Sequence, residues 1–298
     1  MEKRLLGKTG MQVTVLGFGG AEIGYENVAF DQVSRLLHAA LDAGLNVIDT
    51  AECYPGSEEM IGRAVSGRRE DFFLFTKCGH ASGFDLPDWD PRMLEMQIDR
   101  SLKRLRVDTV DLVQLHSCSR AVLEKGDVIG VLENARDAGK TRFIGYSGDA
   151  EDAVYAIDTG RFDTLQTSVS IADLQAIDLT LPVAAKRNMG VIAKRPIANV
   201  AWRWDSKPPS AYHHEYWERL GKLRYDFLGG DLNQAVSVAL RFTLAQPVVA
   251  TAIVGTTNPE RWAANARLLE AGPLPPSTIQ AIRDRWHAVA YSDWVGQI

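Results

Sequence analysis

The feature that most constrains the fold is a recurring phrase: an amphipathic helical stretch, a glycine, then a short apolar run rich in β-branched residues. It occurs at Gly44 before LNVIDT, Gly139 before KTRFIGYS, Gly160 before RFDTLQTS and Gly190 before VIAKRP. Each glycine stands where a helix C-cap calls for positive φ. Helices alternating with strands imply parallel pairing, because a parallel connection must cross back over the sheet. Apolar strand candidates fall at residues 13–17, 46–49, 72–76, 110–115, 142–146, 164–167, 191–193 and 249–253. Eight such units in 298 residues predict one α/β domain over residues 1–298, a (β/α)8 TIM barrel, with the doubly wound open sheet as the alternative.

The helices between these strands carry start signals and periodicity. Val33, Leu36, Leu37, Ala40 and Leu41 recur on one face of a 3.6-residue period. Asp90-Pro91 and Asn258-Pro259 read as N-cap and first helical residue, and Asp231 with Gln234 as a capping box. Three segments fall outside the repeat. The first ten residues predict a β-hairpin closing the barrel bottom, residues 201–227 a polar, aromatic insertion after the seventh strand, and residues 273–298 an extra helix and tail.

Composition excludes several classes. With 46% hydrophobic and 24% charged residues the chain is neither disordered nor fibrous. The 33 basic and 38 acidic residues give a net charge of −5 and are scattered, so no footprint for nucleic acid or an anionic membrane surface is present. No apolar run reaches the roughly 18 residues of a spanning helix, and MEKRLLGKTG lacks a secretory core. Three cysteines, Cys53, Cys78 and Cys118, argue against a disulfide framework, so a cytoplasmic protein is expected.

Some motifs are decoys. Gly17-Phe18-Gly19-Gly20-Ala21-Glu22 begins like a dinucleotide fingerprint, but Glu22 replaces the third glycine and no helix start is evident. Gly7-Lys8-Thr9 ends like a phosphate loop, yet Glu2 holds the upstream glycine position. His213-His214 reads as a solvated loop rather than a metal site, and no metal is expected.

In a (β/α)8 barrel, chemistry belongs at the C-terminal ends of the strands. The second strand ends in Asp49 with Tyr54 in its loop, the third in Lys77 and the fourth in His116. That set suits proton donation to a carbonyl oxygen. An ammonium beside a phenol lowers its pKa, Asp49 would orient Lys77, and His116 would donate to the same oxygen. None of these side chains supplies a hydride, so a reduced nicotinamide or similar donor is required.

The strings Val47-Ile48-Asp49-Thr50-Ala51 with Tyr54, Ser57-Glu58 and Gly62, then Phe75-Thr76-Lys77, then Asp111-Leu112-Val113-Gln114-Leu115-His116, resemble the aldo-keto reductases. LGKTG, IGYS, Gln166 and IVGTTNPERWAAN extend the resemblance over nearly the whole chain. It implies NADP(H)-dependent reduction of an aldehyde or ketone, a small-molecule carbonyl substrate, with Asp49, Tyr54, Lys77 and His116 as catalytic tetrad and Tyr54 as proton donor. It also implies that Ser147 and Gln166 hold the carboxamide. Thr256, Thr257, Arg261 and Asn265 would hold the adenosine end with its 2′-phosphate, a preference for NADPH over NADH.

Three positions depart from the family pattern. Gly148 then Asp149 follow the strand-five serine where asparagine is usual, Lys194 stands where a tyrosine commonly stacks on the nicotinamide, and Gly255 replaces a lysine near the 2′-phosphate. Lys194 and Arg195 are candidate pyrophosphate contacts, and Trp202 or Trp204 candidate covers for the ring. Trp202, Trp204, Tyr212, Tyr216, Trp217, Tyr291 and Trp294 are candidate pocket walls. The departures support an alternative function, a nicotinamide-binding redox sensor or regulatory subunit; a hydrolase using Asp49, Glu52 and Asp111 ranks last. All three cysteines flank tetrad positions, which reads first as burial of small residues and more sharply as oxidant-sensitive activity through lowered thiol pKa values.

Overall fold

In a computed structural model of the chain, in which residues 1–297 are described, the repeated phrase builds a closed barrel of eight parallel strands. A hairpin of β1 (Lys3–Leu5) and β2 (Gln12–Thr14) precedes it. The barrel strands are β3 (Leu16–Gly19), β4 (Val47–Asp49), β5 (Phe73–Cys78) and β6 (Val110–His116), followed by β7 (Thr141–Ser147), β8 (Thr164–Ser168), β9 (Gly190–Lys194) and β10 (Val249–Gly255). They neighbour one another in chain order, and β10 closes on β3.

Being covered on both faces, these strands are continuous apolar runs rather than alternating ones. Outward residues such as Leu16, Ile48, Leu74 and Val113 join the helices in one core. Inward Val47, Phe75, Leu112, Ile192 and Ile253 form a second cluster, and Leu6, Met11 and Val13 of the hairpin segment pack into it. The hairpin therefore plugs the bottom of the barrel, leaving chemistry to the other end.

The helix signals hold in detail. Asp90, Asp231 and Asn258 each accept a backbone N–H of their first turn, from Arg92, Gln234 and Glu260 at 2.9 Å. The helix Phe30–Asp42 buries Val33, Leu36, Leu37, Ala40 and Leu41. Gly44, Gly139 and Gly160 do have positive φ, at 90°, 76° and 69°. Gly190 does not: the left-handed residue is Asn188 (φ 50°), and Gly190 is small because Leu6 lies where its side chain would be.

Two local expectations need correction. The first strand candidate, 13–17, straddles the end of β2 and the start of β3, parted at Val15, whose N–H donates to Glu2 of the hairpin at 3.1 Å. A short helix, Ala21–Tyr25, does begin within the glycine-rich string. The insertion after β9 forms a 3-10 segment Ala198–Arg203, a 3-10 turn Ala211–His213 and the helix His214–Leu223. Helix Pro276–Val289 and a tail to Gln297 follow β10 and its helix, Ile298 lying outside the described residues. Among the described residues no helix is long and apolar enough to cross a membrane.

Candidate active site

Strand register sets the site. Asp49 pairs with Gly19 on one side, Lys77 with Gln114, His116 with Ser147, and Ser147 in turn with Gln166. The strand ends thus form one tier around a cavity of about 500 Å³. Asp49, Tyr54, Lys77, His116, Ser147, Gln166, Lys194, Arg195, Thr256, Thr257, Arg261 and Asn265 all line it. The twelve residues singled out in the sequence as catalytic or cofactor-binding are therefore brought together.

At the base of the cavity the buried Lys77 ammonium donates to Asp49 Oδ2 at 2.5 Å and to the Thr50 carbonyl at 2.7 Å. Burial pushes the Asp49 carboxyl up from its ordinary value, while Lys77, Gln166 and Gln114 pull it back. The Tyr54 loop is tied by the N–H of Glu52 to the Lys77 carbonyl at 3.0 Å and by Ser57 Oγ to the Gly20 carbonyl at 2.8 Å. Tyr54 meets His116 edge to face, ring centroids 5.7 Å apart, and Lys77 Nζ lies 5.4 Å from the Tyr54 ring centre.

Desolvation, and after it the Asp49 carboxylate, pushes the Tyr54 phenol well above its ordinary value. This reverses the expectation that Lys77 lowers it: burial of the phenol dominates, and the ammonium itself is bonded to Asp49 and Thr50. His116 is held well below the usual imidazole range by burial first and then by Lys77, His80, Lys194 and Arg195. At neutral pH the site therefore presents a protonated phenol and a neutral imidazole.

The departures at Gly148, Asp149 and Lys194 are one structural unit. Lys194 Nζ lies 2.8 Å from Asp149 Oδ2, and Asp149 also accepts the Thr167 hydroxyl and the Ser168 N–H at 2.7 Å each. Burial acts to raise the Asp149 carboxyl, but Lys194 with these donors holds it below its ordinary value. Gly148 is required because a Cβ there would press into the Tyr146 ring, whose hydroxyl donates to the Cys118 carbonyl at 2.6 Å. The tail joins the unit, the Gln297 carbonyl accepting from Lys194 at 3.2 Å and from Arg195.

At the other end of the cavity Arg261 is exposed and, among the described residues, forms no ion pair; it sits in the first turn of the helix Pro259–Leu268. Arg195 Nε, Asn199 Nδ2 and His213 Nδ1 are buried around the same cavity with no partner among the described residues. Polar atoms left unpaired in a native cavity point to a ligand that pairs with them.

Several lining residues escaped the sequence reading: Glu22, Glu26, Asn199, Val200, Arg203 and His213. Glu22 follows the first barrel strand, so the strand-end rule applied to the other strands reaches it. His213 is no solvated loop residue: its ring packs on Trp204 with centroids 4.5 Å apart. Of the aromatic residues proposed as walls, Tyr212 lines the cavity, while Trp202, Trp204, Tyr216, Trp217, Tyr291 and Trp294 do not. Those six cover the barrel instead, as where Trp294 packs edge to face on Trp286.

A (β/α)8 barrel carrying a phenol, an ammonium–carboxylate pair and an imidazole at successive strand ends has groups for proton transfer gathered where such barrels do chemistry. The profile of the aldo/keto reductase family matches residues 15–286, and the chain belongs to that family of oxidoreductases, which work with nicotinamide cofactors. L-galactose dehydrogenase of Arabidopsis thaliana is 30% identical over 276 residues, covering 87% of this chain and 85% of its own length. D-threo-aldose 1-dehydrogenase of a Pseudomonas species is 26% identical, covering 86% and 89%. The solved holo form of aldo-keto reductase AKR11C1 from Bacillus halodurans matches with a TM-score of 0.83 at 28% identity over 99% of both chains.

Proposed function

We propose that this protein reduces an aldehyde or ketone to an alcohol with NADPH, Tyr54 giving the proton. The observation that carries the reading is the convergence of Asp49, Tyr54, Lys77 and His116 at the base of one cavity. The bound dinucleotide supplies the hydride. Tyr54, a protonated phenol, donates to the carbonyl oxygen as charge develops on it, and the neutral His116 offers that oxygen an N–H. Lys77, held by Asp49, keeps a positive charge beside the phenolate that results.

The cavity suits the dinucleotide through polar atoms of Arg195, Asn199 and His213 that have no partner among the described residues. Ser147 and Gln166 would hold the carboxamide. Lys194 and Arg195 would face the pyrophosphate, and Thr256, Thr257, Arg261 and Asn265 the adenosine end. The Arg261 guanidinium, in a helix first turn and without an ion pair among the described residues, favours a 2′-phosphate, hence NADPH over NADH. Relatives named for L-galactose and a threo-aldose support a polyhydroxylated carbonyl substrate, as do the polar groups of Arg203, Tyr212 and His213 along the cavity. The three free cysteines suit action in the cytoplasm. That Gly148, Asp149 and Lys194 form one satisfied unit favours the reductase over a nicotinamide-binding sensor or regulatory subunit.

The test is NADPH oxidation, followed by absorbance with a panel of aldoses and simple aldehydes, for the wild type and Tyr54→Phe. Turnover lost by about 10²- to 10⁴-fold in the variant with NADPH binding intact supports the reading. Equal turnover in both proteins, or NADPH binding without turnover on any carbonyl, overturns it.

A further inference from the structure

One group in the cavity does not suit an anionic ligand in its ordinary state. Glu22, on the short helix Ala21–Tyr25, points at Gly255, the last residue of β10; a Cβ on Gly255 would overlap its carboxylate. The absence of a side chain at 255 and the presence of this carboxylate are thus one arrangement. The same wall is stitched by Thr257 donating to Glu26 at 3.1 Å and by Gln32 donating to the Thr257 carbonyl at 2.6 Å. Glu22, Gly255 and Thr256 line the same cavity as Tyr54 and Arg261, so a ligand that fills it meets Glu22.

We propose that Glu22 is a dinucleotide-binding residue and that it serves as the neutral carboxylic acid, so that docking of the anionic dinucleotide takes up a proton. The inference rests on the cofactor reading above. Charged groups around Glu22 are Glu26, the C-cap of its helix, and Arg195, the residue after β9. Arg203 and His213 of the insertion, Arg261, the Asp49–Lys77 pair and Lys194, paired with Asp149, line the same cavity. Burial pushes the Glu22 carboxyl up to about 7, Glu26 adds to the rise and Arg195 opposes it. A phosphate arriving beside the carboxylate raises it further, since a like charge disfavours the ionised form. The proton comes from solvent and sits on the carboxylate, turning an anion into a donor toward the ligand.

The experiment is calorimetric titration of the full chain with NADPH at pH 7, in buffers of differing ionisation enthalpy, for the wild type and Glu22→Gln. Titration of the 2′-phosphate itself is common to both proteins and cancels in the comparison. The wild type should take up about half a proton more than the variant, as linkage requires for a group near its midpoint. Between pH 7 and 8.5 its affinity should weaken several-fold more. Binding with equal proton counts overturns the role of Glu22 and leaves the cofactor reading standing; no binding by the wild type at any pH overturns both. Should Glu22→Gln not fold, carbon-13 NMR of the wild type's glutamate carboxyls reads the same property. One carboxyl should titrate near neutrality in the free protein and stay protonated to higher pH with NADPH, and no NADPH-dependent carboxyl overturns the inference.

Discussion

His116 lies 3.5 Å from Cys53 Sγ through Nδ1. Burial, ahead of any other influence, pushes the Cys53 thiol up to about 11, so the sulfur carries a proton that it can donate to Nδ1, an arrangement that places the imidazole proton on Nε2. Cys53→Ala is expected to lower kcat about two- to tenfold, the worth of one modest hydrogen bond, with NADPH affinity unchanged and a shifted His116 tautomer ratio in nitrogen-15 NMR. Burial likewise raises the thiols of Cys78 and Cys118, the latter to about 12, which removes the basis for oxidant sensitivity through a lowered thiol pKa. For the pH profile the signs are clear. Tyr54 is raised and His116 lowered, so carbonyl reduction should show no alkaline limb from the phenol below about pH 10 and no acid limb from an imidazole near its ordinary 6.5. A limb near 6.5 that vanishes in His116→Gln would show the histidine titrating after all. Residue identities at strand ends were legible in the sequence, because the barrel rule says where to look. The direction of the Tyr54 shift was not, because it depends first on burial of the phenol in the folded barrel and then on the Asp49 carboxylate near it.

Between elements, the Asp149–Lys194 pair ties the loop after β7 to the end of β9, with side chains 6% and 16% exposed. Read along the chain these were two unrelated departures 45 positions apart, and a single sequence carries no sign of their contact. Breaking such a pair leaves an uncompensated buried charge. Lys194→Met should therefore cost about 3 kcal/mol in urea unfolding, whereas adding Asp149→Asn to it should recover much of that loss. Independent, additive losses would show that the pair is not coupled. Helix starts were legible because caps are local chemistry. The first strand was not, because the break at Val15 depends on the hairpin residue Glu2, which its N–H reaches. The positive φ expected at Gly190 belongs to Asn188 for a similar reason: space for Leu6, rather than a turn, is what demands the glycine.

For the whole molecule, the barrel brings residues of the loop after β3 and residues near the end of β10 to one wall, as Glu22 and Gly255 show. A ligand spanning that cavity stabilises the closed form by linkage. NADPH at 100 times its Kd should add about 2.7 kcal/mol and raise Tm by roughly 5 °C for a chain of this class of size, read by scanning calorimetry. Tyr54→Phe should keep that shift, since it changes the proton donor and not the cofactor wall. Closure also has a consequence in time. The pairing of Leu16 with Ala252 and of Gly19 with Gly255 joins segments made far apart on the ribosome, and at about 5–20 residues per second the first waits many seconds for the second. Through that interval the plug residues Leu6, Met11 and Val13 lack the inward face they finally occupy. The nascent chain thus presents an apolar hairpin without its socket, which makes its early life the period of greatest exposure to aggregation and to chaperones.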